Sequence, residues 1–220
     1  LNGLMTYDST YAPSINKLKE LAPQIVEYNS GMIFNIKDGN IMQFLNVKYA
    51  IVLNEEELPE NIEWELIDSN YRGSMRIYEN KNYRPIGTTY NKVMTYEQYK
   101  DSNYSINVLN SFVLCEAKDF EEIKFSVSEG KKISLEEISY GGNQLTGFCY
   151  SDNNDFMIIT LPFDRGWKIL VNGEETKYYN VNGGFIGIPI QKGENQIEMY
   201  FVPQGFKLGA ICSSIGILIY

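Results

Sequence analysis

Asp164, Arg165 and Trp167 stand close together in the stretch LPFDRGWKILVNGEE, which runs from Leu161 to Glu175. A carboxylate, a guanidinium and an indole are the groups that hold a sugar: the ring stacks on the aromatic face, and the charged groups bind a hydroxyl or a phosphate. The same three residues also suit a plain hairpin corner. There the aspartate accepts backbone N–H groups, the arginine points to solvent, and Trp167 joins Ile169 and Val171 on a core-facing side. The residues alone leave both readings open.

Other constellations are weaker. Glu55-Glu56-Glu57 and Glu136-Glu137 bring carboxylates together, and paired carboxylates perform glycoside hydrolysis. Neighbours in a loop or an alternating strand point mainly to solvent, so catalysis is not expected there. Asp152, Asn153, Asn154 and Asp155 offer clustered oxygens of the kind calcium takes, without EF-hand spacing, and a polar hairpin loop accounts for them equally well. Gly183 to Gly187 lacks the GxGxxG spacing of a dinucleotide site and has no helix after it. No cofactor, metal site or catalytic residue is expected.

Composition narrows the chemistry further. The 220 residues contain no histidine, which removes the commonest general base, the commonest metal ligand and every Ser-His or Cys-His pair. The formal net charge of -9 disfavours nucleic acid as a partner, because the phosphate backbone repels an acidic protein. Three widely spaced cysteines, Cys115, Cys149 and Cys212, form no CxxC and fit neither a zinc site nor a disulfide framework. The start of the chain has no basic segment followed by an apolar run, so it does not read as a signal peptide. At 44% hydrophobic and 21% charged residues, the chain has the balance of a folded domain.

The elements that must position these groups fall into three expected segments. Residues 1–115 read as mixed α/β. Ile15, Leu18 and Leu21 have helical spacing, a short helix is expected over Gly39 to Leu45, and VKYAIVL (Val47 to Leu53) reads as a strand buried on both faces. IEWELI and SMRIYEN form a strand pair, Pro85 restricts RPIGTTYNKV to an edge or a strand start, and TYEQYKD is helical. YSINVLNSFVL is also expected to be helical, with Ile106, Leu109 and Val113 on one face. Residues 116–205 read as an antiparallel β-sandwich of about eight short strands, jelly-roll-like, beginning with EEIKFSVSEG. Turn signals close each strand, and among them Asn172-Gly173 suits a type I′ hairpin. Residues 206–220 are apolar or small after Lys207 and read as the start of a transmembrane helix, short of the about 20 residues a span needs. A core helix or strand is the other reading. The fold class is therefore α+β.

LPFDRGWKILVNGEE followed by NVNGGFIGIPIQKGENQIEMYFVPQGFKLG closely resembles the end of the YfhO family of bacterial membrane proteins. LNVKYAIV and ENKNYRPIGTTYNKV resemble that family as well, and YDSTYAPSINKLKELA does so more loosely. The family is similar to polytopic glycosyltransferases of the GT-C type. The resemblance implies a Gram-positive wall enzyme that takes sugar from an undecaprenyl-phosphate carrier and decorates lipoteichoic acid or a related polymer. It places this chain outside the cell membrane, before the last span, with flanking transmembrane helices as its membrane contact and the cell-wall glycan as partner. The catalytic acid of such enzymes lies in an early loop that nothing here matches, so the domain is expected to position acceptor and not to act alone. Asp164, Arg165, Trp167, Asn182 and Phe185 match the family's recurring motifs and are the candidate substrate-binding residues. The alternatives are a purely structural domain and a carbohydrate-binding module without a transferase role.

Overall fold

In this computed structural model, residues 3–5, 17–18, 20–22, 25–28, 31–34, 38–101, 106–127 and 132–219 are described. Two sheets stack to form the sandwich. One has five strands in the order β10 (Glu136–Gly141), β11 (Gln144–Ser151), β17 (Gly193–Phe201), β13 (Trp167–Val171) and β14 (Glu174–Glu175). The other has four, in the order β15 (Tyr179–Val181), β16 (Phe185–Ile190), β12 (Asp155–Pro162) and β7 (Gly87–Tyr90). All these neighbours are antiparallel. The chain pairs β11 with β17 and, inside that, β12 with β16. This nested pairing across two sheets is the roll-up of a jelly roll, as expected from the sequence.

Hydrophobic pattern explains which sheet lies where. In β11 the residues Leu145, Gly147, Cys149 and Ser151 are buried while those between them are less so, the alternation of a sheet with one wet face. Asp155 to Ile159 of β12 and all but one residue of β16 are buried in succession, because the four-stranded sheet is covered twice. Met157, Ile159, Ile186 and Ile188 face the five-stranded sheet and pack with Leu145, Ile169, Ile197 and Met199. Phe156, Ile158, Tyr179, Val181 and Phe185 face the opposite way and pack against a helical layer.

That layer comes from the first half of the chain. It includes helical residues 17–18 and 20–21 (α1), α2 (Gly39–Phe44), α3 (Tyr96–Asp101), α4 (Ile106–Leu109) and α5 (Ala117–Phe125). Asp38 caps α2, its Oδ1 accepting from the Asn40 N–H at 3.0 Å. The strands β8 (Val93–Thr95) and β9 (Val113–Cys115) pair in parallel across a helical crossover. A separate three-stranded sheet holds β4 (Tyr49–Val52), β6 (Met75–Asn80) and β5 (Trp64–Tyr71). A further small sheet joins β1 (Gly3–Met5), β3 (Gly31–Phe34) and β2 (Ile25–Tyr28). The helix α6 (Phe206–Ile219) follows β17.

Three expectations need correction. The strand in VKYAIVL is not buried on both faces: β4 lies at a sheet edge, with Tyr49 and Leu53 about half exposed. The doubly buried pattern belongs instead to β12 and β16. EEIKFSVSEG does not open the sandwich, because its first residues complete α5, with Ile123 buried and Phe125 exposed. A short apolar alternation there is outweighed by a run of good helix formers, Ala117 through Lys124. The helix expected in YSINVLNSFVL covers only Ile106–Leu109, and Val113 begins β9 beside β8. Ser14 and Ile15 of the expected first helix, with Tyr104 and Ser105, lie outside the described residues.

Candidate functional site

Two of the five candidate residues are built into the core. Asn182 is 1% exposed. Its Oδ1 accepts from the Leu114 N–H at 2.7 Å, and its Nδ2 donates to Phe112 O at 3.0 Å and Leu109 O at 3.4 Å. Phe185 is buried, with its ring 5.5 Å from that of Phe44. These side chains bolt the β15–β16 turn to β9 and α2, and neither offers a face to a polymer.

Asp164 and Trp167 are tied into the corner between β12 and β13. Asp164 Oδ1 accepts from the Gly166 N–H at 2.6 Å, the turn role anticipated for an aspartate here. The half-buried Trp167 ring lies 5.0 Å from Phe201 and packs on the sandwich core, while its Nε1–H donates to Pro162 O at 3.2 Å. Tyr178 locks the same corner, its hydroxyl donating to the carbonyls of Trp167 (3.1 Å) and Asp164 (3.2 Å).

Arg165 differs. It is exposed and helps line a cleft of about 450 Å³ between the sandwich and the helical layer. Phe163, Tyr96, Tyr178 and Tyr179 supply aromatic and phenolic surface there. The charged lining comprises Lys17, Lys118, Arg165 and Lys177 against Glu116 and Asp119. Lys17 Nζ sits 4.2 Å from the Tyr96 ring centre and Lys177 Nζ 4.8 Å from that of Tyr179. Lys177 pairs with Glu122, holding that carboxyl below its ordinary value, and Lys17 pairs with Glu20 at 3.6 Å. Arg165 and Lys118 make no salt bridge among the described residues. Burial pushes the Tyr96 and Tyr179 phenols up, so both remain neutral hydrogen-bonding groups at neutral pH. The cleft is thus a locally cationic, aromatic-floored recess in an acidic protein.

Sequence reasoning found Arg165 and missed Lys17, Tyr96, Lys118 and Tyr179. These come from four separate elements, and only the stacking of helices on the four-stranded sheet brings them together. The polar loop 152–155 is consumed by its own turn: Ser151 Oγ–H donates to Asp155 Oδ2 at 2.6 Å, and Asn154 Oδ1 accepts from the Lys192 N–H at 3.0 Å. Among the described residues no group of three or more His, Cys, Asp or Glu side chains is placed to hold a metal ion. Burial raises the Cys115 and Cys149 thiols to about 12 and about 11, keeping them unreactive.

One further feature bears on placement. In α6, Phe206, Leu208, Ile211, Ile215 and Ile217 are all exposed. Apolar residues lie all round this helix, the pattern of a helix surrounded by apolar material. No helix among the described residues is long and apolar enough to cross a membrane.

A jelly-roll-like sandwich with a helical layer, followed by the largely apolar helix α6, defines an α+β domain. Residues 107–213 match the family described as bacterial membrane protein YfhO. The protein YfhO of Bacillus subtilis (strain 168) is 28% identical over 126 residues, which cover 54% of this chain and 14% of that relative. Over those residues the chain is similar to the bacterial membrane proteins of the YfhO family, and it spans only a small part of that relative's length. No solved structure matches it.

Proposed function

We propose that this chain is an extracytoplasmic domain of a polytopic, glycosyltransferase-like membrane protein. It positions an anionic acceptor polymer, lipoteichoic acid or another wall polymer, for glycosylation from an undecaprenyl-phosphate sugar, and it is not catalytic by itself. The observation that carries the reading is the cleft lined by Arg165, Lys118, Lys17 and Lys177. A net charge of -9 repels a polyanion at long range, but binding is decided by the local field. The exposed guanidinium suits a phosphate fork, and the phenols suit sugar hydroxyls. The apolar surface of α6 favours a position next to the bilayer.

The test is the double variant Arg165→Gln/Lys118→Gln in the full-length membrane protein. Both residues are exposed, so folding and membrane insertion are expected to be unchanged, and glycosylation of the wall polymer is expected to fall at least tenfold. Full glycosylation in a correctly inserted double variant overturns the positioning role. Asn182 and Phe185 favour a second reading for their own part of the domain: they hold the sandwich to the helical layer and serve a structural purpose. Labelling of cysteines introduced at Lys118 and Glu174 by an impermeant reagent on intact cells checks the side of the membrane. Labelling only after lysis places the domain inside.

A further inference from the structure

A second cationic cluster lies apart from the cleft, where the helical layer meets the strand β7. Arg84 Nη1–H donates to the backbone carbonyl of Asn110 at 3.1 Å, and Lys132 Nζ–H donates to the same oxygen at 3.0 Å. Both cations therefore lie within about 6 Å of each other. Neither makes a salt bridge among the described residues. Among the described residues the surroundings add no anion: Lys132 Nζ lies 4.8 Å from the centre of the buried Tyr90 ring, Arg84 also hydrogen-bonds the Tyr90 side chain, and Asn46 Nδ2 donates to Arg84 O and Pro85 O. Asn110 is itself 6% exposed, and among the described residues its Oδ1 has no hydrogen-bond partner.

Two like charges that share one neutral carbonyl are poorly matched. Like charges this close repel, and a protein interior screens them less than water does. A group that carries negative charge and several acceptor oxygens removes that mismatch. Arginine and lysine beside each other offer a planar fork and a point charge, the pair of donors that takes an oxyanion.

We infer that Arg84 and Lys132 form a binding site for a phosphate-type oxyanion, distinct from the Arg165 cleft. The anion bridges the guanidinium and the ammonium, at charge-assisted distances of about 2.7–2.9 Å. The Asn110 backbone carbonyl, also in reach of both donors, fixes their orientation when the site is empty. Arg84 is half-buried and Lys132 exposed, so the anion enters from the Lys132 side. Burial and the neighbouring Arg84 charge lower Lys132 to about 8, and a bound anion is expected to raise it. This inference stands independently of the acceptor-positioning role.

The experiment is calorimetric titration of the 220-residue chain with inorganic phosphate in chloride buffer at pH 7. Saturable binding is expected in the wild type. Lys132→Met and Arg84→Gln are each expected to weaken it at least tenfold, and Lys168→Gln, an exposed change on the five-stranded sheet, to leave it unchanged. Lys132 is exposed, so its variant keeps the test usable if Arg84→Gln fails to fold. Vesicles of phosphatidylglycerol in phosphatidylcholine form a second arm. Lys132-dependent binding to vesicles without binding to free phosphate assigns the anion to a lipid headgroup, and the reverse assigns it to a soluble phosphate. Absence of Lys132-dependent binding in both arms overturns the site. Loss of binding only in the Arg165/Lys118 variant does so too, because the anion then belongs to the cleft.

Discussion

Among the described residues, two Asn-Gly turns look alike in sequence and differ in almost every physical respect. Asn172-Gly173 joins β13 to β14, and Asn182-Gly183 joins β15 to β16. All four residues have positive φ, between 48° and 83°, the backbone that asparagine and glycine tolerate best. Asn172 is exposed and secures its own edge of the sheet: its Oδ1 accepts from the Gln196 N–H at 2.8 Å and its Nδ2 donates to Glu194 O at 3.0 Å. Asn182 uses the same two atoms to reach β9 and the residues before it, 68 and more positions away in sequence. The Gly183 N–H donates to the Tyr96 hydroxyl at 3.0 Å. One turn closes a hairpin; the other fastens two layers of the domain together. Local turn chemistry is the same, and burial decides what each turn is for.

The largest effect is expected at Asn182→Ala. It strips partners from the buried Leu114 N–H and Phe112 O and leaves an alanine in left-handed backbone. Each orphaned buried group costs about 1–3 kcal/mol, so the variant should lose roughly 3–5 kcal/mol, read as a lower urea midpoint with unchanged slope. A loss below about 1 kcal/mol breaks the distinction between the turns.

Next come the two glycines. A Cβ at Gly173 meets nothing within 4 Å, whereas at Gly183 it lands 2.8 Å from Leu21 Cδ1 and 3.0 Å from Leu18 Cδ2. Gly173→Ala therefore pays only for positive φ, about 1–2 kcal/mol. Gly183→Ala adds overpacking worth about 1–3 kcal/mol more. The difference between their thermal midpoints measures the packing directly, and equal midpoints remove it.

The contrast also shows what was legible in the sequence. Asn172-Gly173 was readable as a hairpin because the strands it joins pair directly across it, Leu170 with Glu175 and Val171 with Glu174. The sandwich was readable from alternating strands with turn residues between them, and the wet face of β11 follows the expected pattern. The covered face of β12 was not assigned, because a continuous apolar run looks the same in a core strand and in the edge strand β4 until its neighbours are known. The role of Asn182 was hidden for the same reason. Its partners Leu109, Phe112 and Leu114 carry no motif, and the bonds go to backbone atoms that any sequence supplies. Arg165 was found through its local stretch. Lys118, Lys17 and Tyr96, which complete the cleft, share only a position in space.

Tyr96→Phe tests how firmly the buried turn is anchored. It removes the acceptor of the Gly183 N–H and keeps the ring that Lys17 covers. An unsatisfied buried donor predicts a loss of about 1–3 kcal/mol, with faster hydrogen exchange at Gly183. Exchange at Gly173 is expected to stay the same, because that turn lies on the far sheet. Equal acceleration at both glycines means general loosening and not a lost anchor.

The smallest effect is expected at Asn172→Ala. The variant loses two side-chain hydrogen bonds, to the Gln196 N–H and Glu194 O, yet water reaches both groups at this exposed corner. Net hydrogen-bond contributions of about 0.5–1.5 kcal/mol then shrink toward the lower end, and the positive φ adds the remaining cost. A loss of about 1–2 kcal/mol in urea denaturation is expected. The sharper measurement is a double-mutant cycle with Gln196→Ala. The bond runs to the backbone N–H of Gln196, so truncating that side chain leaves it intact, and the two changes should add within about 0.5 kcal/mol. Strong coupling means that Asn172 acts through side-chain packing on β17, and the two turns then differ less than their burial implies.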